Sequence, residues 1–191
     1  MNASRNTYSL GLSALLLFGA CGTPAEHDNG MADHKAMMVA DSTAKAQLMA
    51  QEDIVRALYA SFNTGDLSKL SDHATEDMVS HQMDISIKTA GLQAVRDQLA
   101  MYRTAFPDLR QEILSMSTSG DRTFVQLRIQ GTNSGAWGKM PPTGRSMDVM
   151  GIDMVRFENG KVVEHWGYME EMKMMQQLGL VPAPGEAPKK K

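Results

Sequence analysis

A single cysteine, Cys21, in 191 residues rules out an intrachain disulfide framework, so the fold must hold by its core. A core of roughly 130–150 residues is ample for that. Charge of one sign is also lacking. The formal net charge is −3 and the only basic run is Lys189–Lys191, which excludes the footprint of a nucleic-acid binder. No apolar run spans a bilayer: Leu10–Phe18 is about half of the ~20 residues required. GxGxxG, Walker, HExxH, GxSxG and paired CxxC patterns are all missing, which removes the common nucleotide, metallohydrolase, serine-hydrolase and thiol-redox signatures. There is no internal repeat.

What is present begins with an export signature. Arg5 supplies a cationic start, Leu10–Phe18 an apolar segment, and Gly19-Ala20 small residues before Cys21. Residues 1–20 resemble a bacterial lipoprotein signal, which implies that Cys21 carries lipid and becomes the mature N-terminus. The expected location is the cell envelope, on the periplasmic side of the outer membrane in a Gram-negative host, with the lipid anchor as membrane partner. Residues 21–43 show no periodic apolar face and are expected to be a flexible linker. His27, Met31, His34, Met37 and Met38 offer soft or borderline ligands there. Their spacing along the linker is irregular and no cysteine joins them, so no metal is assigned.

The domain is expected over 44–181, with a disordered tail at 182–191. Ile54, Val55, Leu58, Tyr59 and Phe62 recur at three-to-four spacing and predict an amphipathic helix ended near Gly65. A short helical segment follows at Leu67–Leu70, and His73–His81 reads as a turn leading into a short strand. Leu92, Val95, Leu99, Tyr102 and Phe106 predict the clearest helix, stopped by Pro107. From Leu109 the period switches to two, giving strands over Leu109–Ser117 and Arg122–Thr132 and, past a Gly/Pro-rich loop, a long hairpin. Its turn is Asn159-Gly160, the strongest short hairpin signal. An unbroken register from that turn pairs Phe157 with Val162, Val155 with Glu164, Asp153 with Trp166 and Gly151 with Tyr168. One face then carries Asp153, Trp166, Tyr168 and Glu170; the other carries Ile152, Met154, Met169, Arg156 and His165. Glu171–Leu178 reads as a short closing helix. The expected class is α+β: about three N-terminal helices packed on a curved antiparallel sheet, with a pocket between them.

Several pieces, in order, carry a resemblance. They are Leu58-Tyr59-Ala60-Ser61-Phe62-Asn63-Thr64-Gly65-Asp66, His81, Phe106-Pro107-Asp108-Leu109, Gly131-Thr132, Pro141-Pro142-Thr143-Gly144-Arg145, Gly151-Ile152-Asp153, Glu164-His165-Trp166 and Gln177-Leu178-Gly179. Over roughly 50–180 the chain resembles the SnoaL-like polyketide cyclase, or ester cyclase, branch of the nuclear-transport-factor-like (NTF2-like) superfamily. The resemblance implies an NTF2-like cone and a cofactor-free enzyme, commonly oligomeric and expected here as a homodimer. It closes a ring by aldol condensation, with a pocket carboxylate as base and acid. The family places an Asp four residues after the Trp of its "HW" pair; here that position is Glu170. Asn133 stands where relatives often carry His.

Glu170 is therefore the first catalytic candidate and His81 the second, as a donor to a substrate oxygen. Trp166 and Tyr168 are expected as pocket walls beside Tyr59, Tyr102 and His165. Asp153 is a second carboxylate, and Arg128 and Arg156 are candidate holders of an anionic group. The expected substrate is a small hydrophobic carbonyl compound of polyketide type. The alternative is an envelope lipoprotein that binds a small apolar ligand without turning it over.

Overall fold

The computed structural model describes residues 26–182 and Gly185; the export signature, Cys21 and most of the tail lie outside the described residues. The order is α1 (Glu26–Thr64), α2 (Leu70–His73), β1 (Ala74–Ser80), α3 (Gly91–Ala105), β2 (Arg110–Ser119), β3 (Arg122–Thr132), β4 (Ser146–Glu158), β5 (Lys161–Met169) and α4 (Glu171–Gln177). Two compact units divide between Asp41 and Ser42. The stretch expected as a flexible linker is helical from Glu26 onward. Its Ala and Met residues and Lys35 are good helix formers and no proline interrupts 26–64, so local propensity favours a helix where no apolar stripe forms.

In the larger unit five strands form one sheet in the order β1-β5-β4-β3-β2. Strands β2 to β5 are antiparallel neighbours, as the period-two pattern predicts. β1 departs from that pattern by running parallel to β5 along its free edge. The inward face of the sheet presents Val125, Leu127, Ile129, Val149, Val155, Phe157 and Val162, all buried. Val55, Leu58 and Tyr59 of α1 and Leu92 and Leu99 of α3 belong to the same core. Helices cover one face of the sheet, which makes the fold mixed α+β.

Two polar clips fix α1 against the rest. Asn63 Nδ2 donates to the Gln111 carbonyl at 2.8 Å while its Oδ1 accepts from the Gln111 N–H at 2.7 Å. The Arg103 guanidinium of α3 donates to the carbonyls of Phe62, at 2.6 Å, and Asn63, placing a cation at the C-terminus of α1. Buried Asn133 ties down the Gly/Pro-rich loop, donating to the Ala105 and Gly135 carbonyls and accepting from the Thr143 N–H. That is a structural task for Asn133.

The hairpin turn forms as its sequence predicts, with φ of 50° at Asn159 and 76° at Gly160. Phe157 pairs with Val162, but the register then slips: Arg156 pairs with Glu164, Val155 with His165 and Asp153 with Gly167. Val163 is the extra residue of a β-bulge, and from there each β5 residue sits one place from its expected partner. The expected faces are corrected accordingly. Asp153 shares the inward face with His165 and Met169, whereas Trp166 faces outward beside Met154 and Glu164. A second bulge, at Leu114, sits between β2 and β3. Bulges bend the strands that carry them and increase local twist, which lets the sheet close over the helices.

Candidate active site

Between α1, α3, β1 and the inward face of the sheet lies a cavity of about 110 Å³. Its walls are largely aliphatic and thioether groups, among them Leu58, Leu92, Leu127, Val155, Met83 and Met169. Against these walls a few polar side chains converge. Tyr59, Tyr102, Asp153, His165 and Ser80 all line the same space.

Four of them form a connected relay. The Tyr59 hydroxyl donates to Asp153 Oδ2. His165 Nε2 lies 3.4 Å from the same oxygen, with both side chains about four-fifths buried at 21% and 18% exposure. On its other side, His165 Nδ1 is 2.9 Å from Ser80 Oγ. The tautomer protonated on Nε2 faces the Asp153 carboxyl and leaves Nδ1 to accept from Ser80. The order across the pocket is therefore Ser80, His165, Asp153, Tyr59.

Local structure explains each position. His165 and Asp153 are diagonal cross-strand neighbours on one face of the hairpin, brought there by the Val163 bulge. Tyr59 comes from the buried stripe of α1. Ser80 ends β1, two residues after buried Met78, so its side chain follows the strand period inward. Gly167, opposite Asp153, keeps the floor open: a Cβ there would lie 2.0 Å from Gln82 Oε1 and 2.8 Å from Asp153 Oδ1.

The electrostatics separate donors from acceptor. Burial first, then the Asp153 charge and hydrogen bond, hold the Tyr59 phenol well above its ordinary range. Tyr102 is pushed up to about 12, chiefly by burial. Both phenols therefore remain protonated donors at any physiological pH. Gln111 Oε1 is buried and has no hydrogen-bond partner among the described residues, although Gln111 lines the pocket. An unpaired buried acceptor costs about 1–3 kcal/mol, so a ligand O–H or N–H that reached it would recover that cost.

Several expected site residues lie elsewhere. Glu170 precedes α4 outside the cavity, where its Oε2 accepts from Lys173 Nζ at 2.7 Å and from the Met150 N–H at 2.9 Å. Those two donors lower its pKa, the opposite of a carboxyl held ready to protonate. His81 stacks on Trp166 at 4.7 Å between ring centroids, and its Nε2 is 2.8 Å from Glu164 Oε1. Both rings are on the outward face, because His81 continues past the end of β1 and Trp166 follows the slipped register. Arg156 pairs with Glu164 at 2.8 Å and Glu158 at 2.5 Å, and Arg128 forms a two-pronged pair with Asp148. Neither arginine lines the cavity. Tyr168 touches its rim, three-quarters exposed. Reasoning from sequence missed Ser80 and Gln111, although the inward strand period at Ser80 was a usable signal.

The comparisons agree with this architecture. The family model described as SnoaL-like polyketide cyclase matches residues 52–178. AclR from Streptomyces galilaeus, provisionally assigned as a hydroxylase, is 27% identical, with 74% of this chain and 87% of that one covered at a TM-score of 0.62. IdmH from Streptomyces antibioticus, provisionally assigned as a polyketide cyclase, is also 27% identical, covering 68% of this chain and 98% of that one at 0.60. TsrD from Streptomyces laurentii, at 20% identity, shares the fold with a TM-score of 0.64 over 70% of this chain and 97% of its own. Among curated proteins none matches at a significant level. With the family match spanning most of the domain and the fold in agreement, this chain belongs to the SnoaL-like polyketide cyclase family.

Proposed function

We propose that the chain is a cofactor-free acid/base enzyme that moves a proton next to the carbonyl of a small hydrophobic compound, in an aldol-type ring closure or a related proton transfer. One observation carries this reading: among the described residues, a largely apolar cavity holds one carboxylate, Asp153, bracketed by Tyr59 and His165. Asp153 accepts the acidic C–H proton. The charge that then develops on the carbonyl oxygen needs a donor, and Tyr102 opens onto the same space with its proton held to about 12. His165, oriented by Ser80, stabilises the Asp153 charge before the transfer, and Asp153, protonated by that transfer, returns the proton to the new alkoxide afterwards. Glu170 takes no part in this scheme.

The apolar walls favour a second reading, binding of a small ligand without turnover. One experiment separates the two. Exchange of α-hydrogens for deuterium is followed by NMR for a panel of small cyclic and aromatic ketones and 1,3-dicarbonyl compounds. The expected result is catalysed exchange that Asp153→Asn slows by roughly 10²–10⁴-fold, the usual worth of one acid/base group. Glu170→Gln should exchange at the wild-type rate. Saturable binding with no exchange above buffer would establish the second reading, and loss of exchange in Glu170→Gln with Asp153→Asn active would overturn the assignment of the base.

A further inference from the structure

Granted the proton transfer proposed above for the carbonyl end of the substrate, we infer that the substrate also carries a hydroxyl group and that Gln111 is the residue that recognises it. Gln111 pairs with Ile129 across β2 and β3, and directly opposed residues of an antiparallel pair stand on the same side of the sheet. Ile129 is buried and lines the cavity, so the Gln111 side chain is on the inward face as well, and it lines the same space. Asn63 holds the Gln111 main chain through both its N–H and its carbonyl, so that side chain springs from a fixed point.

Gln111 Oε1 is buried and unpaired among the described residues. Its neighbours in the lining are Ile129 across the strand pair, Leu127 two residues along and Phe62 beside the Asn63 that holds it. All three are apolar and none supplies a hydrogen. Buried polar groups are nearly always hydrogen-bonded, so an orphaned acceptor in a ligand cavity marks the place of a ligand donor. A neutral hydroxyl meets that need. An ammonium would require a counter-charge that none of these neighbours provides. Register then fixes where on the substrate the hydroxyl lies. Asp153 pairs with Val125 of β3, whereas Gln111 pairs with Ile129, four residues along and on the other side of that strand. At about 3.4 Å per residue, that separates the two backbone positions by roughly 13 Å along the strand. The carboxylate and the amide approach the cavity from well-separated positions, which puts the hydroxyl at the end of the substrate remote from the reacting carbonyl.

The test is calorimetric titration of the full chain with para-hydroxyacetophenone and para-hydroxybenzylacetone, each against its para-methyl counterpart. At least one hydroxyl compound should bind wild type about 10–100-fold more tightly than its counterpart, the worth of one satisfied buried acceptor. Gln111→Met keeps an unbranched side chain and the main-chain bonds to Asn63, and removes the acceptor. Its ratio should fall to about one or below, while the unliganded variant melts no lower than wild type because the buried orphan is gone. A Gln111 with a packing role alone would lower the melting temperature of the variant and leave the ratio unmoved. The inference is overturned if neither pair shows the preference in wild type, if Gln111→Met retains it, or if no compound binds. Affinity is read without turnover, so the two readings fail separately. Exchange by Asp153→Asn at the wild-type rate would remove the proton-transfer reading with the hydroxyl preference intact, and equal binding within both pairs would remove the hydroxyl with exchange of unsubstituted ketones intact.

Discussion

Tyr102 ties a single phenol to the stability of the domain. Its pKa rises to about 12, with burial the largest cause, while an unfolded tyrosine ionises near 10. Between those values the unfolded chain has lost a proton that the native chain still holds. Stability is therefore fully present below about pH 10 and falls as pH rises toward 12. Denaturant titrations across that window should show a steeper loss for wild type than for Tyr102→Phe, and an equal slope would mean that the phenol is solvated. At Glu170 the resemblance and the observed geometry point different ways. The resemblance pointed to its distance from Trp166, yet Lys173 stands three residues on, where a helical ion pair forms readily. That pairing was legible and argues for a solvated carboxylate. Asp153, His165, Tyr59 and Tyr102 were all recognisable as pocket residues; their connection was not, because a hydrogen-bonded relay depends on which face each residue takes.

That facing was decided between elements. Asn159-Gly160 dictates its own turn geometry, so the hairpin and its first pair were readable. The Val163 bulge was not, since an extra residue is accommodated where packing rewards it and no local propensity marks the place. One slipped position moved Trp166 to the outside and brought His165 to Asp153. The joint between α1 and β2 was likewise invisible, because Asn63 and Gln111 are far apart in sequence. Its strength can be measured. Asn63→Ala removes both bonds to the Gln111 backbone and leaves a part-buried N–H and C=O unpaired. At about 1–3 kcal/mol for such groups, a loss of roughly 2–4 kcal/mol is expected in chemical denaturation. A loss under about 0.5 kcal/mol would mean that water replaces the clip. Because Gln111 also lines the cavity, ligand affinity should fall along with stability.

Across the whole molecule, the α+β arrangement was legible because helix-period and strand-period segments follow one another in blocks. The helical state of residues 26–43 was not, since it lacks the apolar stripe that marks a packed helix. Nor does sequence give the size of the cavity, which decides what the protein can hold. At about 110 Å³ it is of the order of an engineered protein cavity of ~150 Å³ that takes benzene, and below the ~300 Å³ at which ordinary ligand pockets begin. One-ring carbonyl compounds fit that space, whereas fused polycyclic products do not unless wall residues move. Met83 and Met169 are the adaptable part of the lining, being unbranched and free to change rotamer. Thermal shift measurements should therefore show one-ring ketones raising the melting temperature, by an amount equivalent to about 2.7 kcal/mol at a hundredfold excess over Kd. Three-ring ketones should leave wild type unmoved and bind to Met169→Ala, whose truncated side chain enlarges the cavity. If three-ring compounds stabilise wild type equally well, the pocket opens on binding, and the closed volume does not set the size of the substrate.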